Sequence, residues 1–249
     1  MFWITTLLFD LDGTLRYNQP SSNDFFFEHA VRMGAPDSPQ ARRNAARWAH
    51  AYWAQSAELE ADFERFDDLT PEFWVHYTYR KLIMFGCPED CAQSIAAPLR
   101  AYIDANYTPI DVVEPNAIRL LAHLRRHGYQ LGLLTNRSQP VNAYLHEKGL
   151  DTAFDATLAA GEIGYWKPHP EIFLRLLEKM KTPPQRALYI GDNYYADVIG
   201  AQRAMLQPVL LDPENLFEDA NCLRIKTITD LPKLLGITPF TPVEPAAQA

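Results

Sequence analysis

Long apolar runs are missing from this chain of 249 residues. The start, Met1-Phe2-Trp3-Ile4, is apolar, but no basic stretch accompanies it and Asp10 interrupts it early. A membrane helix needs about 20 predominantly apolar residues, and a secretory signal needs a basic flank. Neither is expected, and the protein reads as cytoplasmic. Cysteine is scarce and odd in number: Cys87, Cys91 and Cys222. Three thiols make no disulfide framework. Cys87 and Cys91 stand four apart with no second pair and no neighbouring histidine pattern, so they read as reduced thiols and not as a zinc site. Basic charge is also short, with 23 Lys and Arg against 31 Asp and Glu and a net charge of −8. Without a basic stripe, nucleic acid and membrane surfaces are not expected partners.

Glycine is unevenly short. Residues 16–104 hold only Gly34 and Gly86 of the eleven glycines, yet fifteen of the thirty aromatics. Nothing in that stretch alternates as a strand does. Leu59, Phe63 and Phe66 fall at helical spacing with Glu60, Asp62, Glu64, Asp67 and Asp68 between and after them. Trp48 and Tyr52 are also one helical turn apart. We read an inserted bundle of about four helices whose aromatics form its core and whose acids form a solvated face.

Apolar residues make up 47% of the chain, enough for a sizeable core. The rest of the sequence is organised around Leu7–Leu15, Leu-Leu-Phe-Asp-Leu-Asp-Gly-Thr-Leu. Its apolar first half reads as a strand buried on both faces of a parallel sheet. It runs into two carboxylates, Asp10 and Asp12. Asp-Gly is a common turn pair, so these acids could simply begin a turn. Buried at a strand tip, however, they need a partner, because an unpaired buried charge costs several kcal/mol or more. A bound cation supplies one. Residues i and i+2 of a strand share a face, so both acids could reach one site.

After residue 104, strands and helices alternate. A helix opens at Glu114-Pro115-Asn116 and stops at Gly128. Tyr129–Asn136, Phe154–Ala160, Arg186–Asp192 and Leu206–Asp212 read as strands, with Ile225–Thr229 as an edge strand. Helices fall between them at Pro140–Lys148, Glu171–Met180 and Ala196–Ala204. This order implies an α/β fold with a doubly wound, Rossmann-like parallel sheet. The expected division is a core of residues 1–15 and 105–237, a helical cap over 16–104, and a disordered tail over 238–249 with three prolines.

Three strands end in polar chemistry: Asp10 and Asp12 on the first, Thr135-Asn136 on the second, and Gly191-Asp192 on a later one, with Asp197 five residues on. Lys167, before Pro168, lies between them in sequence. A parallel sheet brings such tips to one edge, where open α/β sheets bind ligands. The residue types suit a phosphate on a hard cation. Carboxylates suit Mg²⁺, hydroxyl and amide groups hold phosphoryl oxygens, and a lysine offsets negative charge. A carboxylate can also attack phosphorus. Singly, Thr135-Asn136 could cap a helix, Lys167 could be a loop lysine and Asp197 a surface residue.

Asp10-Leu11-Asp12-Gly13-Thr14-Leu15, Leu134-Thr135-Asn136, Lys167-Pro168 and Gly191-Asp192-Asn193-Tyr194-Tyr195-Ala196-Asp197, in this order, resemble the haloacid dehalogenase-like (HAD) hydrolase superfamily. The resemblance runs from residue 5 to about 235, and the helical insertion resembles the cap of members with a four-helix lid. It implies a Mg²⁺-dependent phosphatase acting on a small phosphorylated metabolite through an aspartyl-phosphate, with a phosphomutase of the same fold, a haloacid dehalogenase or a non-catalytic binding protein as alternatives; a monomer or homodimer is expected. Asp10 would be the nucleophile, and Asp12 the general acid and base. Thr135 would hold a phosphoryl oxygen with support from Asn136. Lys167 would screen charge around Asp10. Asp10, Asp192 and the backbone carbonyl of Asp12 would bind Mg²⁺, with Asn193 and Asp197 supporting. Asp12 favours phosphoryl transfer, since members that cleave carbon–halogen bonds look different there. The family usually has glycine where Met205 follows Gly200-Ala201-Gln202-Arg203-Ala204, which implies an altered helix exit. Substrate choice is expected of the cap, where Arg16, Tyr17, Arg42, Arg43, Arg47 and Arg80 are candidate contacts. The cap's formal charge of −4, from nine basic and thirteen acidic residues over 16–104, gives a polyanionic substrate no support.

Overall fold

A computed structural model describes residues 3–243. The chain runs as β1 (Thr6–Phe9), β2 (Arg16–Gln19), α1 (Ser22–Arg32), α2 (Pro39–Tyr52), α3 (Ala57–Phe66), α4 (Pro71–Met84), α5 (Glu89–Asn106), β3 (Ile110–Val113), α6 (Ala117–Arg126), β4 (Gln130–Thr135), α7 (Asn142–Glu147), β5 (Ala156–Ala159), α8 (Pro170–Lys179), β6 (Ala187–Gly191), α9 (Ile199–Arg203), β7 (Gln207–Leu211), β8 (Leu223–Ile225) and α10 (Leu231–Leu234). It forms two compact units, dividing between Tyr17 and Asn18 and again between Asp111 and Val112. These breaks lie two and seven residues beyond the expected 15/16 and 104/105. The displacement arises because the connecting segments are the strands β2 and β3, which pair as a separate two-stranded sheet.

The first unit holds a six-stranded sheet in the order β5-β4-β1-β6-β7-β8, and each of its five pairings is parallel. Its central strand shows why the apolar run reads as it does. Leu7 and Phe9 pack on one face with Leu131, Leu133 and Ile190 beneath Leu120, Leu121 and Leu124 of α6. Leu8 packs on the other face with Leu134, Tyr189 and the Ile172, Phe173 and Leu176 side chains of α8. With helices on both faces, alternation has no solvent side to report. Chain order departs from β1 in both directions, to β4 and to β6, so β1 sits at the switch point where α/β sheets place ligands.

The second unit contains five helices, where about four were expected. Ser21, Ser38, Ser56 and Thr70 each accept a backbone N–H as N-caps, and Pro39 and Pro71 open α2 and α4. The four-residue link Trp53–Ser56, with Gln55 at φ 55°, separates α2 from a short α3. The aromatics pack as a bundle core. Tyr52 and Phe73 are buried among the tryptophans Trp48, Trp53 and Trp74, and Phe26, Phe27 and Phe85 form a second cluster.

The acidic stretch is not solvated throughout. Asp62 is buried, accepting from the Tyr52 hydroxyl (2.7 Å) and Arg80 (2.9 Å) and lying 3.2 Å from His76. The spacing that puts Leu59, Phe63 and Phe66 on α3's inner face carries Asp62 toward α2 and α4.

The end of the chain also differs from the expected tail. Val243 N–H donates to Asn116 (2.8 Å), the Thr238 carbonyl lies 3.0 Å from His123, and Phe240 packs against the core. These three contacts tie residues 238–243 to the core. The remainder of that stretch, 244–249, lies outside the described residues.

Candidate active site

Three neighbouring strands, β4, β1 and β6, end side by side at Thr135, Phe9 and Gly191, and Asp10 and Asp192 are the residues that follow the last two. Strand β1 stops at Phe9, one residue before Asp10, so strand alternation does not extend to Asp12. The chain turns instead, the carbonyl of Leu11 accepting from the N–H groups of Thr14, Leu15 and Arg16. As a result Asp10 and Asp12 have different hydrogen-bond partners.

Asp10 is 4% exposed, and its Oδ1 accepts from Lys167 Nζ at 2.5 Å. The same ammonium donates to Asp197 Oδ1 (2.7 Å) and to the Tyr189 hydroxyl (3.1 Å), which itself lies 3.1 Å from Asp197. Burial pushes the Asp10 pKa up to about 7, Lys167 pulls against the rise, and Asp197 adds to it. Burial also opposes charge on Lys167, but Asp10 and Asp197 outweigh it and hold the ammonium above the usual lysine range. Desolvation, with Asp10 and Asp197 nearby, likewise raises Asp192 well above the ordinary carboxylate range.

Backbone shape makes this crowding possible. Gly13 adopts φ +92°, and a Cβ there would lie 2.4 Å from the Asp192 carboxylate. A Cβ on Gly191 would lie 2.4 Å from the Asp197 carboxylate. Any side chain at either position would push a carboxylate out of the site.

Carboxylate oxygens of Asp10, Asp192 and Asp197 come within 4.8 Å of one another. Among the described residues no other set of three acidic, histidine or cysteine side chains is grouped in this way. The three carboxylates offer oxygen donors in a buried cluster where ionisation is opposed until a cation offsets it, which suits a divalent, oxygen-preferring ion such as Mg²⁺. The donor set therefore fits the expected metal. Cys87 and Cys91 are free thiols 3.4 Å apart with no such grouping.

Asp12 has a different set of partners. Arg137 grips its two oxygens through Nε and Nη2 at 2.9 and 2.8 Å, Arg16 approaches to 3.3 Å, and the Thr135 hydroxyl donates at 3.3 Å. Asn136 turns back to the scaffold. Its Oδ1 accepts the Lys167 N–H (2.7 Å) and its Nδ2 donates to the Lys167 carbonyl (3.1 Å), fixing the loop that carries the lysine. Asn193 also acts on the scaffold, its Oδ1 accepting from the N–H groups of Tyr195 and Ala196 (3.0 Å each). Its backbone N–H donates to Asp197 at 2.9 Å. The Thr14 hydroxyl donates to Asp192 at 3.3 Å.

Two residues of this network were absent from the sequence reading. Tyr189 reads as one more apolar strand residue. Arg137 directly follows Thr135-Asn136, and only that adjacency hinted at it. Of the candidate contacts in the helical stretch, Arg42 pairs with Asp37 (2.8 Å) and Arg80 with Asp62 and Glu58.

A family model for haloacid dehalogenase-like hydrolases matches residues 4–204. The chain belongs to that family. The HAD core accounts for the order of the four motif segments and for the parallel sheet that aligns their tips. Among characterised relatives, this HAD hydrolase is 28% identical over 148 residues to the glyceraldehyde 3-phosphate phosphatase of Pyrococcus furiosus, covering 57% of this chain and 61% of that one. It is 24% identical over 204 residues to the pyrophosphatase PpaX of Bacillus thuringiensis, covering 81% and 80%. In structure it resembles a 2-haloacid dehalogenase from Pseudomonas syringae pv. Tomato DC3000, with a TM-score of 0.52 and 23% identity over 94% of this chain and 98% of that one. The fold is thus shared by enzymes of different chemistry, and the site residues must choose between them. No helix among the described residues is long and apolar enough to cross a membrane.

Proposed function

We propose that this HAD hydrolase is a Mg²⁺-dependent phosphatase that acts on a small phosphorylated metabolite through an aspartyl-phosphate on Asp10. The observation that carries the reading is the arrangement around Asp10. One of its oxygens is tied to Lys167, the Asp197 carboxylate shares that ammonium, the Asp192 carboxylate lies in the same cluster, and a fourth carboxylate, Asp12, stands apart beside Thr135. Asp10, Asp192 and the carbonyl of Asp12 would hold the metal, with Asp197 in support. The bound cation would offset the charge that nucleophile and phosphoryl group bring together.

Asp10 attacks phosphorus, the bond to the leaving oxygen breaks, and Asp12 delivers the proton that oxygen needs. Asp12 then takes a proton from water as the water attacks phosphorus, releasing phosphate and restoring Asp10. Thr135 holds a phosphoryl oxygen. Lys167, anchored by Asp197 and Tyr189, keeps Asp10 oriented and its charge screened. The relatives named as phosphatase and pyrophosphatase support phosphoryl chemistry. The presence of Asp12 favours it over carbon–halogen cleavage, which needs no acid there.

A phosphomutase would pass the phosphoryl group back to its substrate in place of water. Phosphate release from p-nitrophenyl phosphate and a panel of phosphorylated metabolites, with Mg²⁺ and with EDTA, on wild type and Asp10→Asn, tests the reading. Turnover that requires both Mg²⁺ and Asp10 is expected. Activity retained by Asp10→Asn would overturn the assignment, an isomeric sugar phosphate without free phosphate would identify a mutase, and halide release without Mg²⁺ a dehalogenase.

A further inference from the structure

The helical unit carries two of the three cysteines at one corner, where α4 gives way to α5. Gly86, at φ 87°, closes the end of α4. Its N–H bonds to the Ile83 carbonyl (2.9 Å) and the Cys87 N–H to that of Leu82 (3.0 Å), the Schellman arrangement that fixes the backbone at Cys87. Cys91 lies in the first turn of α5, where the Ala92 N–H bonds to the Pro88 carbonyl (2.9 Å). With both backbones held in this way, the two Sγ atoms are 3.4 Å apart. The third cysteine, Cys222, is a half-buried thiol in the α/β unit, raised by burial.

Cys87 and Cys91 are not equivalent. Cys87 is 5% exposed and packs in the bundle core with Phe26, Phe27 and Phe85. Burial, with Cys91 beside it, pushes its thiol up to about 12. Cys91 is half-buried, and its Sγ–H is directed at the Gly34 carbonyl beyond α1 (3.9 Å). An oxidant in solvent therefore meets Cys91 first, and Cys87 stands behind it. An accessible sulfur with a second sulfur in contact is the layout of a thiol pair that is oxidised reversibly.

We propose that Cys87 and Cys91 form an oxidation site that takes up a hydroperoxide as a reversible disulfide within the helical unit. Cys91 attacks one oxygen of the peroxide as its thiolate. An S–O bond forms, the O–O bond breaks, and the departing oxygen leaves as water with the thiol's proton. The Cys87 sulfur then attacks the Cys91 sulfur. The S–S bond forms, the S–O bond breaks, and the hydroxyl leaves as a second water with the Cys87 proton. Two thiols give up two electrons, and the peroxide is reduced to water. Burial opposes ionisation of Cys87, but its attack is intramolecular between atoms already in contact, which offsets that cost. The sulfurs close from 3.4 Å to the roughly 2.0 Å of a disulfide. The same burial keeps Cys87 from meeting the oxidant itself.

The test uses the whole protein, reduced, freed of reductant, treated with hydrogen peroxide, alkylated and digested with trypsin. Cleavage after Lys81 and Arg100 leaves both cysteines in one peptide, residues 82–100. That peptide is expected unalkylated and about 2 Da lighter than its dithiol, and dithiothreitol should restore it. Its oxidation should outpace that of Cys222 by about tenfold or more, because only the pair has a resolving thiol in contact. Cys87→Ala removes that thiol and should stop at a sulfenic acid on Cys91, trapped by dimedone. Cys91→Ser should leave Cys87 alkylatable after solvent denaturation. Sulfinic acid on Cys91 without a disulfide in wild type would overturn the proposal. So would a pair that oxidises no faster than Cys222, or a Cys91→Ser protein whose Cys87 is oxidised at the wild-type rate. The wild-type peptide mass decides the matter even where a variant fails to fold.

Discussion

Lys167 in the α/β unit and Lys81 in the helical unit are buried to the same degree, 3% and 4% exposed, and are held in opposite ways. Lys167 touches two carboxylates and a phenol, and its ammonium is secured. Lys81 donates to one amide oxygen, Asn23 Oδ1 at 2.7 Å, and lies over the Phe26 and Phe27 rings at 4.3 and 5.4 Å. Among the described residues no carboxylate pairs with it, and burial pushes its pKa down to about 7. Burial acts against charge in both places, and the partners decide whether the charge survives. The helical unit does match buried charge elsewhere, since Asp62 has Arg80, Tyr52 and His76 around it. Lys81 therefore stands out within its own unit, as a lysine whose pKa burial lowers to about 7 with no carboxylate to oppose it.

Removing each lysine should have effects of opposite sign on stability. Lys167→Met leaves Asp10 and Asp197 buried without their cation. Breaking a buried ion pair from one side costs about 3–5 kcal/mol, and, with Asp10 as the proposed nucleophile, loss of the charge beside it should cut phosphatase turnover by roughly 10³-fold. Urea unfolding and a phosphate-release assay on this variant would check both. A variant that kept wild-type turnover would show that Lys167 is an anchor for the loop and not part of the chemistry.

Lys81→Met should do the reverse in the fold. It removes a poorly compensated amine and keeps the apolar stem, so the helical unit should gain about 1–3 kcal/mol at pH 7. Tryptophan fluorescence follows this unit well, since Trp48, Trp53 and Trp74 are three of the five tryptophans. A loss of stability would mean that the amine's contacts with Asn23 and the two rings outweigh its desolvation.

The pH dependence sharpens the comparison further. The folded pKa of Lys81 is about 7, below the roughly 10.4 of an unfolded lysine. Between those values the unfolded chain binds more protons, so stability rises with pH across that window. The penalty is fully present below pH 7 and is relieved as pH climbs toward 10. From pH 7 to 9 this group should add on the order of 2 kcal/mol to wild type and nothing to Lys81→Met. Equal slopes in the two proteins would contradict a lowered pKa at this site.

The two units were not equally legible in the sequence. In the α/β unit the chemistry sits where apolar strands run into polar residues, and that boundary is visible in one dimension. Asp10, Thr135 and Asp192 could be named because each ends or follows an apolar run, and Lys167 because Lys167-Pro168 falls between those segments in the order the family shows. Arg137 and Tyr189 could not, because nothing local separates a guanidinium that grips Asp12 from one in solvent, or a hydroxyl on Lys167 from a ring in the core. The helical unit lacks such boundaries. Its aromatics announced a bundle, but Asp62 sat in an acidic run and Lys81 beside Arg80, and the burial of either depends on which face of α3 or α4 it occupies. The break between α2 and α3 rests on a few residues around Gln55. The anchoring of residues 238–243 rests on Phe240 and on backbone groups of Thr238 and Val243, which no local pattern marks.

The smallest expected effect comes from a position in the α/β unit where no charge is involved. Met205 follows α9 with φ 64° and is 65% exposed. This is the left-handed position after a helix that glycine fills without a Cβ penalty, and a side chain there costs about 1–2 kcal/mol. Part of that cost is offset, because glycine loses more backbone freedom on folding. Met205→Gly should therefore stabilise the protein by about 0.5–1 kcal/mol, while Met205→Ala, which keeps the Cβ, should gain little. Thermal unfolding of the three proteins would separate the backbone effect from loss of the side chain. Equal gains in both variants would place the cost in the exposed thioether chain, and a loss in Met205→Gly would show that Met205 does more than end the helix.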